Sequence, residues 1–373
     1  MPRTAEATMA LDLVGEERGT SAVARVRALR RLDARPRLRR TKILVGALVC
    51  LVSVLVGCLV GPAGLSVSGV LLELLDAIPG VEVDSGMSLT QQAIFWEIRL
   101  PRVVLGVLVG AMLAVAGTAY QGVFRNPLAD PYLLGVSSGA ALGATLGIVA
   151  GGTIGPVGIP LLAFVGGLLG VAATYALGSS VGGGRGAVVI VLAGVAVGAF
   201  FNAIQNFVQQ QYDDSLLSVY SWMLGRLSTD GWSDVAIALP YVVVSCAVIL
   251  IHRRVLDVMA VGDVEAASLG VDPARVRLVL VLTATLGTAA VVSVSGLIGF
   301  VGIVVPHAVR LLFGAAHHTL LPLALLLGAA FLVLADVVAR TALAPAEVPI
   351  GVVTALLGAP FFLVVLRRTK GDM

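Results

Sequence analysis

From residue 43 onward the chain is a succession of apolar runs close to twenty residues long, separated by short polar intervals. A run of about twenty residues crosses a ~30 Å hydrocarbon core as a helix. Inside a bilayer, helices and closed barrels are the folds that satisfy their own backbone groups. The pattern predicts an all-α polytopic membrane protein with ten transmembrane helices. The first five spans are 43–60, about 103–122, a glycine-rich span after Pro131, about 157–179 and about 187–209. The rest are about 233–251, about 278–294, a shorter one ending near Arg310, about 320–339 and about 348–366.

The interruptions carry as much information as the spans. Arg125-Asn126-Pro127-Leu128-Ala129-Asp130-Pro131 separates spans two and three, and proline breaks the helical ladder there, so the pair reads as a hairpin with a polar turn. Gly135, Gly139, Gly143 and Gly147 recur every four residues along the third span. That spacing makes a smooth strip on one helix face, against which another backbone can pack closely. Gly194 and Gly198 repeat the spacing in the fifth span, the glycine run after Ser179 reads as a tight loop, and Ser295–Gly302 interrupts the pattern before the short eighth span. Residues 65–98 carry five acids and read as an external loop with some helix.

Composition narrows the class. With 58% hydrophobic and 13% charged residues and a mean hydropathy of +1.00, a soluble globular protein is excluded. Cys50, Cys58 and Cys246 all lie in apolar spans and read as small buried hydrophobes, with no metal site. Residues 1–42 differ in kind: a basic, polar stretch expected to be a disordered cytoplasmic tail ahead of a ten-helix domain at 43–373. Beside a membrane span, such a basic run points to the lipid bilayer and not to nucleic acid. Residues 43–60 resemble a signal-peptide core, and Leu55-Val56-Gly57-Cys58 a lipoprotein cleavage box, but the run is long and further spans follow, so it is kept as the first helix.

Charge then orients the chain. Ten spans put both ends on one side, which collects 21 of the 25 basic residues; only Arg99, Arg102, Arg226 and Arg340 fall on the other. The positive-inside rule therefore gives N-in, C-in. The four outer arginines run against that rule. Each reads either as an interfacial snorkel or as a binding group, since guanidinium forks suit carboxylates.

Three motifs in order, Arg99-Leu-Pro-Arg102, then NPLADP at 126–131, then LLGVSSGAALG at 133–143, resemble the FecCD family of ABC importer permeases, which import ferric siderophores, haem and cobalamin. The resemblance covers roughly residues 90–366. It implies a homodimer with two cytoplasmic ATPase subunits, an extracytoplasmic substrate-binding protein, and residence in a bacterial cytoplasmic (inner) membrane. It implies that Arg99, Arg102 and, in ADVVAR, Arg340 receive acidic residues of the docked binding protein. In the inner-side segment 261–273, Glu265–Leu269 reads as a short helix stopped by Gly270, with Pro273 barring continuation. The pattern of Gly262, Ala266, Leu269 and Gly270, with Asp263 and Glu265 between them, resembles the coupling helix that seats in the ATPase.

Asn202, Gln205, Asn206 and Gln209 recur at three- and four-residue steps on one helix face. Amides in a membrane helix either bond neighbouring helices or line a wet cavity. In the resembling family the pathway runs between the fifth helices of two copies, which favours the cavity. Ala187 and Val188 fall where that family places its cytoplasmic gate; cobalamin-importing relatives carry hydroxyl residues there, which argues for an iron chelate, ferric siderophore or haem, with cobalamin as the alternative cargo. The chain lacks the G-x-x-x-x-G-K-[ST] phosphate loop, so ATP-Mg belongs to a partner and the chain itself is not an enzyme. No catalytic set and no bound cofactor are expected. His307 reads as structural, and His252, His317 and His318 as solvated helix ends. An ion-coupled secondary transporter needs carboxylates within spans, and none is evident beyond end residues such as Asp336; an intramembrane enzyme needs paired acids, a Ser-His pair or a zinc motif in its spans, and none is present.

Overall fold

A computed structural model describes residues 36–151, 157–180, 187–228 and 231–369. Every regular element among them is helical. Seven helices are long and apolar enough to cross a membrane, and three shorter apolar helices, at 136–149, 301–313 and 350–364, complete the ten predicted positions in order. The expected tail lies almost entirely outside the described residues, and α1 (Pro36–Leu59) begins several residues before the predicted 43. Proline suits that first turn because its missing N–H would have no partner there.

The loop at 65–98 is largely helical. α2 (Val67–Asp76) is capped by Ser66, whose hydroxyl accepts from Gly69 N at 3.0 Å. α3 (Leu89–Ala93) opens with a capping box between Ser88 and Gln91 and runs through a π-helical turn, Ile94–Arg99, into α4 (Leu100–Phe124). The centre of the bundle is α4, buried without a break from Val109 to Phe124. A helix apolar on every side belongs in a core, and this one is. Around it stand α9 (Ser233–Ile251), α12 (Pro273–Ser295), α13 (Val301–Phe313) and α14 (His317–Thr341). Two close backbone crossings pin α13 and α14 to it: Gly110 of α4 lies against Gly328 of α14, and Gly117 against Gly302 of α13.

The four-residue glycine strip does what its spacing predicts. Gly139 and Gly143 of α5 (Val136–Val149) lie against the backbone of Gly166 and Leu162 in α6 (Gly158–Ser180), and Gly147 approaches Ile159. Gly135 continues the strip from just outside the helix: at φ 85° it ends a 3-10 turn, Pro131–Leu134, opens α5 and lies against Gly170 of α6. The two interrupted segments meet each other. Tyr132 Oη accepts from Ile298 N and donates to Ile298 O, both at 3.1 Å. Irregular backbone inside a membrane bundle needs such partners, because lipid offers none.

Two later helices, α12 and α14, also start earlier than predicted. α12 opens at Pro273, five residues before 278, with Asp272 Oδ1 accepting from Ala274 N and Arg275 N. Proline there begins the next helix as well as ending the polar interval. α14 opens at His317, and its N-terminus is capped by a carboxylate from α10 (Arg253–Met259): Asp257 Oδ1 accepts from His317 N at 2.6 Å and lies 2.9 Å from His317 Nδ1. His318 Nδ1 is 3.2 Å from Asp257 Oδ2. The expectation of solvated histidines therefore fails at His317, which is 7% exposed and clasped between two helices.

Candidate functional site: two charge clusters on one helix

Arg102 lies in the first turn of α4 and Arg125 caps its C-terminus in a left-handed conformation, φ 49°. Twenty-five residues of helix separate the two ends by about 37 Å. Each arginine belongs to a distinct charge cluster.

At the outer cluster, the π-helical turn Ile94–Arg99 shifts the helical phase just ahead of Pro101. Such wide turns recur at functional sites. Arg102 is gripped from two directions. Nε and Nη2 donate to Asp336 of α14 at 2.8–3.1 Å, while Nη1 and Nη2 donate to the two carboxylate oxygens of Glu347 at 2.8 and 3.0 Å. Bidentate charge-assisted pairs of this kind are the strong ones. The bound Arg102 guanidinium holds the Glu347 carboxyl below its ordinary range.

Within the chain, Arg99 and Arg340 bond to backbone. Both are buried, 4% and 3% exposed. Arg99 Nη1 donates to Cys58 O at 3.3 Å and Arg340 Nη2 to Gly57 O at 2.6 Å. These carbonyls belong to the last turn of α1, whose final carbonyls have no intrahelical donors and carry partial negative charge. Two of the three motif arginines thus cap a helix, and Arg340 also pairs with Asp336 at 3.5 Å. Arg102 alone reaches a half-exposed group, Glu347.

At the inner cluster, α11 (Asp263–Ser268) is the predicted short helix. Gly262 at φ 141° and Gly270 at φ 82° bracket it, conformations that favour glycine. Gly270 N donates to Ala267 O and Val271 N to Ala266 O, closing the helix as expected. Ala266 is fully buried, whereas Val264 and Leu269 stand out at 80% and 67% exposure and Glu265 is exposed. Asp263 is held by Arg125 at 3.1 Å and by Arg277 of α12 at 3.0 Å. Arg125 and Arg277 counted in sequence only as inner-side charges; their separation from Asp263 along the chain hid the pairing.

The amide stripe divides. In α7 (Ala187–Gln211), Gln205 and Gln209 are buried, with Gln205 Nε2 3.1 Å from Met223 Sδ of α8 (Leu216–Met223). Asn202 and Asn206 are exposed on the single chain, between Phe200 and Phe207, which are also exposed. The burial boundary therefore runs along the predicted face. Ala187 and Val188 begin α7, and their side chains lie outside the described residues. His307 packs its ring edge-on to Phe361 at 6.0 Å, as a structural histidine would.

Sequence reading missed a buried polar chain beneath the helix ends. Arg310 Nη2 donates to Gln121 Oε1 at 2.9 Å, and Gln121 Nε2 donates to Gly302 O at 3.0 Å. It also missed the depth of Asp130, whose carboxylate stands beside Gly302 opposite Gly117, about two turns up α4 from its cap. Asp130 Oδ1 accepts from Tyr132 N, so it orders the turn that precedes α5. Among the described residues no three His, Cys, Asp or Glu side chains converge as metal ligands would.

Comparison with known proteins converges on one group. The model of the FecCD transport family matches residues 48–368. The chain is 45% identical over 282 residues to the cobalamin import system permease protein BtuC of Halobacterium salinarum, covering 76% of this chain and 75% of that protein. It is 43% identical over 280 residues to the hemin transport system permease protein HmuU of Yersinia pestis, covering 74% and 84%. A solved structure of a putative metal-chelate type ABC transporter in an inward-facing conformation superposes with a TM-score of 0.75 at 29% identity, covering 87% of this chain and 98% of that one.

Proposed function

The chain belongs to the FecCD transport family, and from that membership we propose that it forms, as a homodimer, the transmembrane pathway of a binding-protein-dependent importer for an iron chelate, ferric siderophore or haem. Both chain ends face the cytoplasm of a bacterial inner membrane. Two separate ATPase subunits hydrolyse ATP-Mg, and alternating access carries the cargo inward.

The observation that carries this reading is the inner cluster. α11 is a one-and-a-half-turn helix that presents Val264 and Leu269 to solvent while Asp263 ties it to both α4 and α12. Exposed apolar knobs on a helix tethered to two long helices suit a part that seats in a partner and passes its motion on. Gly262, Glu265, Ala266 and Gly270 shape that helix. A second copy accounts for Asn202 and Asn206, since amides exposed beside phenylalanines on a membrane helix are costly unless a wet pathway or another protein covers them. Outside, the acidic binding protein docks over Arg102, with Arg99 and Arg340 beneath it as further positive charge. Cobalamin is the second reading, favoured by the 45% identity to a cobalamin permease.

The test is uptake into proteoliposomes that hold this chain with its ATPase, supplied with binding protein and ATP. Ferric siderophores, haem and cobalamin are offered in turn. ATP-dependent accumulation of an iron chelate supports the reading, and accumulation of cobalamin alone selects the second. Cargo flux driven by an ion gradient without ATP overturns both.

A further inference from the structure

All the guanidinium edges of Arg102 are taken. One face serves Asp336 and the other serves both oxygens of Glu347. A carboxylate arriving from outside therefore finds no free fork. The two resident acids differ in a way that suggests which yields. The Asp336 side chain is 3% exposed and fixed within α14, and the Glu347 side chain is 44% exposed and sits in the short connection between α14 and α15 (Ile350–Thr369). Residues 341–347 are all exposed, so releasing them uncovers little apolar surface. The connection stays anchored just beyond Glu347, where Val348 N donates to Ala339 O at 2.9 Å.

Charge fits an exchange of one carboxylate for another. Three arginines, 99, 102 and 340, face two carboxylates, leaving one positive charge in excess. Removing Glu347 raises the excess to two, and an incoming carboxylate restores it. We propose that Glu347 is a resident competitor that occupies the Arg102 fork in the undocked permease, and that the binding protein docks by exchanging its own acidic side chain for Glu347. This rests on Arg102 being a docking residue. The exchange frees the connection that leads directly into α15, whose first turn is bonded across to Leu224 through Gly351 N at 3.0 Å. Docking is thereby reported to the bundle as the loss of one ion pair and the gain of another.

The experiment measures association and dissociation rates between the permease–ATPase complex in nanodiscs and the purified binding protein of the same transport system. If Arg102 is free about a tenth of the time, removing the competitor tightens apparent binding about tenfold. Glu347→Gln is expected to show that gain, mainly as faster association. Glu347→Asp, which keeps the charge but shortens its reach, moves the same way by less and serves if the amide variant folds poorly. In an Arg102→Gln background, which itself weakens binding, Glu347→Gln gives no gain. Unchanged or weaker binding by both Glu347 variants, with Arg102→Gln still weakening it, overturns the exchange and leaves the docking residue standing. Binding indifferent to Arg102→Gln overturns the docking reading and the exchange with it.

Discussion

The clusters at the two ends of α4 are inverses. Outside, the cation Arg102 lies between two anions, one of which, Asp336, also pairs with Arg340; inside, one anion, Asp263, lies between two cations. Each cluster has one largely buried arginine facing a half-exposed carboxylate, Arg102 with Glu347 and Arg277 with Asp263; burial separates their other pairs. The Arg102 and Asp336 side chains are 11% and 3% exposed, and those of Asp263 and Arg125 are 42% and 44%. A desolvated pair holds its geometry because losing either partner strands a buried charge. An exposed pair is screened by water and rearranges at little cost. The Arg102–Asp336 pair is thus built to keep one arrangement, while Glu347 outside and Arg125 inside are the contacts free to exchange or to follow a partner that moves.

That contrast is broken most severely at Asp336. Asp336→Ala leaves Arg102 and Arg340 short of a buried counter-charge and should cost about 3–5 kcal/mol, seen as a lower Tm of the purified chain. A Tm within a degree of the original would mean that the outer cluster is less rigid than its burial implies. Next comes packing that carries no charge. Gly139→Leu forces a side chain into the α5–α6 backbone crossing and should cost about 1–3 kcal/mol, whereas Gly198→Ala meets nothing closer than Ser138 Oγ at 3.6 Å and is tolerated. Comparable losses of folded yield for the two would contradict the crossing.

The clasp between α10 and α14 gives a pH signature. Burial raises the Asp257 carboxyl, but the bonds from His317 and His318 outweigh it and set it below its ordinary value. The native value is therefore lower than the unfolded one. Its stabilisation is complete above the unfolded carboxylate value of about 4 and is lost as pH falls through the native value. Asp257→Asn should flatten the acid limb of the stability–pH curve, read from denaturant melts; parallel limbs for the two proteins would remove the clasp from the account. The smallest stability effect belongs to Asp263→Asn, about 1 kcal/mol, because the Arg125 pair is exposed and the amide oxygen still accepts from the largely buried Arg277.

What the sequence made legible follows from what periodicity can encode. The ten apolar positions, the Gly139–Gly143–Gly147 strip and the short helix stopped by Gly270 were visible because each depends on neighbours within a few residues. Contacts across the fold were not. Arg99 and Arg340 form a motif with Arg102, yet they cap α1, and nothing in the spacing of RLPR distinguishes an arginine facing out from one turned onto a helix end. The pairing of Asp263 with Arg125 joins residues far apart in sequence, and Asp257 with His317 likewise. The amide stripe was placed on one helix face. Its division into buried Gln205 and Gln209 and exposed Asn202 and Asn206 depends on the helices that pack on α7, chiefly α5 and α6, with Met223 of α8 against Gln205. A single helix pattern does not contain them.

The central claim is that the inner cluster transmits ATPase motion into the bundle, and Asp263→Asn tests it most directly. ATP hydrolysis and cargo uptake are measured together in the same proteoliposomes, with ATPase occupancy checked by co-purification. The ATPase is expected to stay bound and to hydrolyse ATP while uptake falls at least tenfold. Uptake that stays in its original proportion to hydrolysis would contradict it.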